Sequence, residues 1–247
     1  MAGFRGTPVI MAAAIAKIHH LLPGVPGKKF DSFLSTMNKA RVSRIAFLRH
    51  GQTGQREMGG VDFDRILTEL GRQQAKEAGL RFGRELKPFF SPVLVSPAPR
   101  TVATAEIFLS AAHEDANLKP IEVLYDGAMQ PKGSALFKKL GYAPLSDYLT
   151  NANDQEREDA QLVLGEYANA VLEAIFNSVK KPSDSMSVPS TLWIVAHAIY
   201  LPAAALGVAS LAGCHGQEII LSTNTKESEG YLVDLSDLTV QYLSRDP

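Results

Sequence analysis

The chain has a single cysteine among its 247 residues, so an internal disulfide is excluded and a reducing, intracellular compartment is expected, with Cys214 itself a small core residue. Long apolar runs are also missing. Nothing approaches the roughly 20 consecutive apolar residues of a membrane-spanning helix. There are no cysteine pairs at metal-ligand spacing, no Walker-type glycine loop and no internal repeat, so no metal, no nucleotide cofactor and no solenoid is expected. An excess of either charge is missing as well: 25 basic and 26 acidic side chains leave a net charge of -1. That balance offers no general attraction to nucleic acid or an anionic membrane, and any anion site must be built locally, in a pocket. With 45% hydrophobic and 21% charged residues, the chain is ordinary globular material for one large α/β core.

Acidic residues are absent from positions 1–30, where Arg5, Lys17, Lys28 and Lys29 accompany Met11, Ile15, Ile18 and Leu22 on one helical face. Such a segment has two readings. It fits an organelle-targeting peptide for a mitochondrion or plastid, or a retained helix that packs on the domain or on a partner protein. Its poverty in serine and its ending in Leu22-Pro23-Gly24-Val25-Pro26-Gly27 favour a helix followed by a linker. The expected organisation is an amphipathic extension over 1–40 and one domain over 41–247; without a targeting role for the extension the protein is expected in the cytoplasm.

What is present centres on Ile45-Ala46-Phe47-Leu48-Arg49-His50-Gly51-Gln52-Thr53. The apolar run is too short for a helix and reads as a buried strand, which puts Arg49 and His50 at its carboxyl end, where open α/β sheets bind ligands. A cation and an imidazole held together there suit an anion that is both gripped and attacked. Gly51 lets backbone amides approach such a group, and Thr53 adds a hydroxyl.

Further along, Thr68 is expected to cap a helix whose small face, Gly71, Ala75 and Gly79, would pack on a sheet. Pro92–Ser96 reads as a second strand, and Arg100 falls in the first turn of the helix after it. A cation there opposes the helix dipole unless an anion is bound. Ile121–Leu124 is expected as a third strand, Tyr125–Gly133 as an irregular loop, and Ser134–Leu140 and Leu145–Leu149 as short helical pieces. Asp154–Val179 reads as a long amphipathic helix and 182–190 as a surface loop. Thr191–Ala196 is the strongest strand signal and stops at His197; a helix follows over Ala198–Cys214, with Pro202 early in it. Residues 216–222, 230–235 and 238–243 are expected to complete the sheet.

Three strands thus end in Arg49-His50, Ser96 and His197. Taken with Leu67-Thr68, Gly71, Gln74-Ala75, Ser96-Pro97, Arg100 and Thr104-Ala105, this order and spacing resembles the histidine phosphatase superfamily (phosphoglycerate mutase-like, branch 1) over about residues 43–243. The resemblance implies a three-layer α/β/α sandwich with a mostly parallel central sheet. It also implies a metal-independent phosphomonoester hydrolase, without cofactor, acting on a small phosphorylated metabolite or a phosphoprotein. By the same resemblance His50 is the nucleophile that forms a phosphohistidine, while Arg49, Arg100 and His197 surround the phosphoryl oxygens. The acid that protonates the leaving group is expected at Asp126, in the loop after the third strand, with Glu122 as the alternative. Arg56 stands where many sugar-phosphate members, the mutases included, have Asn, and Ala198-Ile199 follows His197 in place of the common Gly; both point away from a mutase. A catalytically weak or inactive phosphatase-fold subunit of a larger assembly, attached through the N-terminal extension, is the second reading.

Overall fold

The computed structural model describes residues 27–55, 60–126, 131–150, 153–179 and 188–246. Helix α1 (Gly27–Lys39) leads into β1 (Val42–Arg49). Then come α2 (Glu69–Ala78), β2 (Val93–Val95), α3 (Pro99–Ala112), β3 (Leu118–Pro120) and a single-turn helix α4 (Val123–Asp126). Helices α5 (Pro131–Leu140), α6 (Leu145–Thr150) and α7 (Asp154–Val179) return the chain to β4 (Ser190–Ala196). The remainder is α8 (Tyr200–Leu211), α9 (Gln217–Ser222), β5 (Gly230–Asp234) and β6 (Thr239–Leu243).

The six strands form one sheet in the order β3-β2-β4-β1-β5-β6, in which β5 alone runs opposite to the other five. Alternation of side chains divides the core. Ile45 and Phe47 face α1, α7 and α8, whereas Ala46 and Leu48 face α2 and α3 with Trp193 and Phe108. Helices therefore cover both faces, which is the expected three-layer sandwich with a mostly parallel sheet.

The topology explains where a ligand can enter. β1 and β4 are adjacent and parallel, yet α2 leaves β1 toward one face while α8 leaves β4 toward the other. The gap between two helices departing in opposite directions is a crevice at the carboxyl ends of the strands, the switch point at which open α/β sheets hold their ligands.

Thr68 caps α2 as expected, its side chain accepting from the Gly71 amide. The small face of α2 has a different use from the one expected. A Cβ on Gly71 would stand 2.1 Å from the Gln52 carbonyl oxygen, and one on Gly79 would stand 2.4 Å from that of Phe108. The small residues let the loop after β1 and helix α3 approach, not the sheet.

Three expectations are corrected. The third strand is Leu118–Pro120, and Ile121–Leu124 leads into α4: Ile121 still donates to the Val95 carbonyl, but the amides of Leu124 and Tyr125 turn back to the carbonyls of Ile121 and Glu122. Short apolar runs look alike as strand and helix, and here local turning won. Residues 217–222 form α9 and not a strand, burying Ile220 and Leu221 on one face. The loop expected over Tyr125–Gly133 begins and ends in helix, with 127–130 outside the described residues.

Residues 1–26, on which the targeting and linker readings rest, lie outside the described residues. The last part of the expected extension does not stand apart: Phe33, Met37 and Ala40 are buried in the core on the α7 side of the sheet. Phe33 meets Phe176 of α7 edge-on with ring centroids 5.4 Å apart. Phe33→Ala is expected to cost about 3–5 kcal/mol, as for other buried aromatic truncations, in chemical denaturation. A chain beginning at Asn38 should be less stable than one beginning at Gly27 by a comparable or larger amount; equal midpoints would place α1 outside the cooperative unit.

Candidate active site

Register brings the strand tips together. Arg49 pairs with Ala196, and Val95 with Val195, so β1, β4 and β2 end at one level. The residues just beyond them, His50, His197 and Ser96, become neighbours, with backbone bonds from His50 N to Ala196 O (3.1 Å) and from Ser96 N to Val195 O (3.0 Å). The His50 and His197 rings lie 5.2 Å apart, close to the spacing of adjacent strands.

His50 Nδ1 lies 2.7 Å from the Gly51 carbonyl oxygen. A carbonyl only accepts, so Nδ1 carries the proton and the lone pair of a neutral ring sits on Nε2. Burial, then Arg100, and further Arg49 and Arg65, push the His50 pKa down to about 3 against the opposing pull of the Gly51 carbonyl. The ring is thus held neutral, in one tautomer, at neutral pH. The turn that follows is fixed in the same way: Gly51 N donates to Thr104 Oγ1 (3.0 Å) and Gln52 N to Gln74 Oε1 (2.8 Å).

His197 lies between Ser96 Oγ, 2.8 Å from Nε2, and an Arg100 guanidinium nitrogen, 3.4 Å from Nδ1. Since Arg100 can only donate, Nδ1 accepts and Nε2 donates to Ser96. Burial, then His50, Arg100 and Arg49, keep His197 well below the usual imidazole range.

Arg49 and Arg100 are 6% and 4% exposed, and buried cations require partners. Arg49 donates to the Thr225 carbonyl (2.6 Å) and to Glu227 Oε1 (2.9 Å). Arg100 donates to the Asp62 carbonyl (2.6 Å), to Asp62 Oδ2 (2.7 Å) and weakly to the Phe63 carbonyl (3.3 Å). The anion that the placement of Arg100 called for is therefore supplied, in this state, by a carboxylate of the chain. Burial would raise the Asp62 pKa, but Arg100 and the paired Arg65 outweigh it and hold Asp62 ionised. Both arginines keep a buried Nε without a partner.

These groups line a pocket of about 400 Å³ whose floor is Arg49, His50, Arg100 and His197. Thr53 also lines it, with Arg65 donating to its hydroxyl. Of the residues singled out in the sequence, Arg49, His50, Thr53, Arg100 and His197 thus come together, while Gly51 does not line the pocket and its amide is bonded to Thr104. Asp126 ends α4, one residue after Tyr125 of the pocket wall; its side chain lies outside the described residues, as does Arg56. Glu122 is exposed and does not line the pocket.

Sequence reasoning missed Asp62, Arg65 and Glu227. The first two carried a faint signal, opposite charges three apart; Glu227 carried none, being 178 residues from Arg49.

Comparison with known proteins agrees with this geometry. The sequence model of the histidine phosphatase superfamily (branch 1) matches residues 45–125, from β1 to Tyr125 of α4. "Serine/threonine-protein phosphatase Pgam5, mitochondrial" of Drosophila grimshawi is 28% identical over 171 residues, 64% of this chain and 58% of that protein. Its Xenopus laevis counterpart is 27% identical over 160 residues, 60% and 57% of the two chains. The chain therefore spans less than two thirds of the length of these curated relatives. Phosphoglycerate mutase from Bacillus anthracis str. Sterne matches in fold with a TM-score of 0.50 at 13% identity, covering 84% of this chain and 96% of that one.

The His50 arrangement has a pH signature. An unfolded chain protonates this imidazole near its ordinary value of 6.5, the folded one only near 3. Between those values the unfolded state binds the extra proton, so stability falls as pH drops from about 6.5 toward 3. His50→Gln should give a shallower acid-side decline of Tm than the native chain; identical slopes would contradict the buried neutral imidazole.

Proposed function

We propose that this chain, which has the fold and the strand-tip motif of the histidine phosphatase superfamily, is a metal-independent phosphomonoester hydrolase that works through a phosphohistidine. The observation that carries the reading is His50, its Nδ1 turned to the Gly51 carbonyl, in one pocket with two buried arginines and a second imidazole. His50 Nε2 attacks phosphorus, the P–N bond forms, and the P–O bond breaks with its electron pair leaving on the alcohol oxygen, which takes a proton. Water then attacks phosphorus and gives up a proton to the group that had protonated the alcohol, the P–N bond breaks back to His50, and inorganic phosphate leaves.

Each step spreads charge over three phosphoryl oxygens, so fixed donors are the main catalytic device. Arg49 and Arg100 supply them. Burial and His50 depress His197 before the arginines do, and a phosphate dianion bound beside it would offset the positive charges and favour its protonated form. For Arg100 to turn to phosphate, Asp62 must release it, and the phosphate replaces one anion by another on the same guanidinium. Asp126 is proposed as the acid for poor leaving groups, from its place immediately after the pocket residue Tyr125. A phosphorylated metabolite and a phosphoprotein both remain within this reading; a mitochondrial location is compatible with the names of the relatives and with the basic segment at 1–30.

Acid-labile label from a phosphomonoester should map to His50, and His50→Ala should abolish both label and turnover. Label elsewhere, or undiminished turnover, would refute the assignment. Arg100→Ala should lower the rate by about 10²–10³, as for loss of one preorganised donor. Asp126→Asn should lose about 10²–10⁴ in rate on an alkyl phosphate and much less on an activated aryl phosphate; equal losses would leave Asp126 a loop residue.

A further inference from the structure

The floor of the pocket is cationic, but its walls are aromatic. Tyr142 lies over Arg49 with its ring centroid 4.8 Å from the guanidinium carbon, and Phe137 meets Tyr142 edge-on at 5.2 Å. Tyr125 lies 6.0 Å from the Arg100 guanidinium carbon, edge-on to His197 at 5.7 Å and to Phe63 at 4.9 Å. Each arginine that would hold phosphate therefore carries a tyrosine ring beside it. Phosphate alone would touch little of these rings and would leave much of the 400 Å³ unfilled. Tyr142 lines the pocket and remains 52% exposed.

From these contacts we infer that the ester is that of a phenol: an aryl phosphomonoester, whose ring sits among Tyr142, Phe137 and Tyr125 while its phosphate sits on Arg49 and Arg100. Aromatic partners prefer edge-to-face or offset contact at 4.5–7 Å, the range in which these rings already engage one another. The chemistry is consistent with this. A phenolate departs with far less need of a proton than an alkoxide does. Tyr142 and Phe137 are then specificity-determining residues of the proposed hydrolase, on whose anion site this inference rests.

Binding of two non-hydrolysable phosphonates separates the two ideas. By calorimetry the native chain should bind phenylphosphonate about tenfold more tightly than methylphosphonate, the scale of one or two aromatic contacts. Tyr142→Ala and Phe137→Ala should each shrink that preference, and Arg100→Ala should abolish binding of both. Equal affinity for the two phosphonates, both lost in Arg100→Ala, would overturn the aromatic assignment and leave the anion site standing. Binding of neither would overturn the anion site and this inference with it. In turnover, O-phosphotyrosine should exceed O-phosphoserine in kcat/KM; a further gain when the phosphotyrosine is placed in a peptide identifies a phosphoprotein as the source, no gain a small phenolic ester, and parity with O-phosphoserine overturns the inference.

Discussion

Two guanidinium groups are buried beside an imidazole at the carboxyl edge of the sheet, and much of the surrounding loop structure follows from neutralising them. A buried cation without a partner costs far more than a surface one. The segment 60–66 folds inward to bring Asp62 to Arg100, and the segment before β5 folds inward to bring Glu227 to Arg49. The second segment is also tied through the backbone, Arg49 N donating to the Glu229 carbonyl at 2.9 Å and Ser228 N to the Arg49 carbonyl at 3.1 Å. The pocket walls are thus placed by its charges.

The same charges set the state of the imidazoles. Burial and the neighbouring arginines disfavour a third and fourth positive charge, so His50 and His197 stay neutral where an exposed histidine would be partly protonated near pH 6.5. In the proposed reaction this is what makes His50 a nucleophile. The carboxylates that neutralise the arginines are anions like the phosphate to which they would yield, so in the proposed reaction binding would exchange one anion for another and would not require the site to be assembled anew. Asp62 is two-sided, bound to both Arg100 and Arg65, and therefore links the opening of Arg100 to the position of a residue that also holds Thr53.

Above this floor the aromatic side chains come from segments that the catalytic motif does not include. Tyr125 is at the end of the short α4, Phe137 is in α5, and Tyr142 follows α5. In the proposed hydrolase, chemistry and selectivity are accordingly divided along the chain: the strand tips would supply attack and anion binding, and the segment between β3 and α7 would meet the rest of the substrate. Loops and short helices on a rigid sheet commonly divide labour in this way.

The strand tips were legible because they are local. Ile45–Leu48 and Thr191–Ala196 are apolar runs that end abruptly in ionisable residues, and Thr68 is a cap that its own helix satisfies three residues on. Ile121–Leu124 and residues 217–222 were misread because a short apolar stretch has no period of its own, and only its neighbours decide whether it pairs or coils. Phe33 and Met37 gave no sign of belonging to the core, since an amphipathic helix at a chain's edge looks the same whether its apolar face meets this domain or another protein. By itself, then, the sequence determined the sheet's edge motif, the α/β class and the identity of the groups at the strand tips. The tertiary structure alone decided that His50, Ser96 and His197 stand side by side, through a strand order that inserts β4 between β1 and β2. It alone also decided that Asp62 and Glu227 neutralise the two arginines, because opposite charges find each other across the fold by burial and distance, and neither is written in the spacing of residues along the chain.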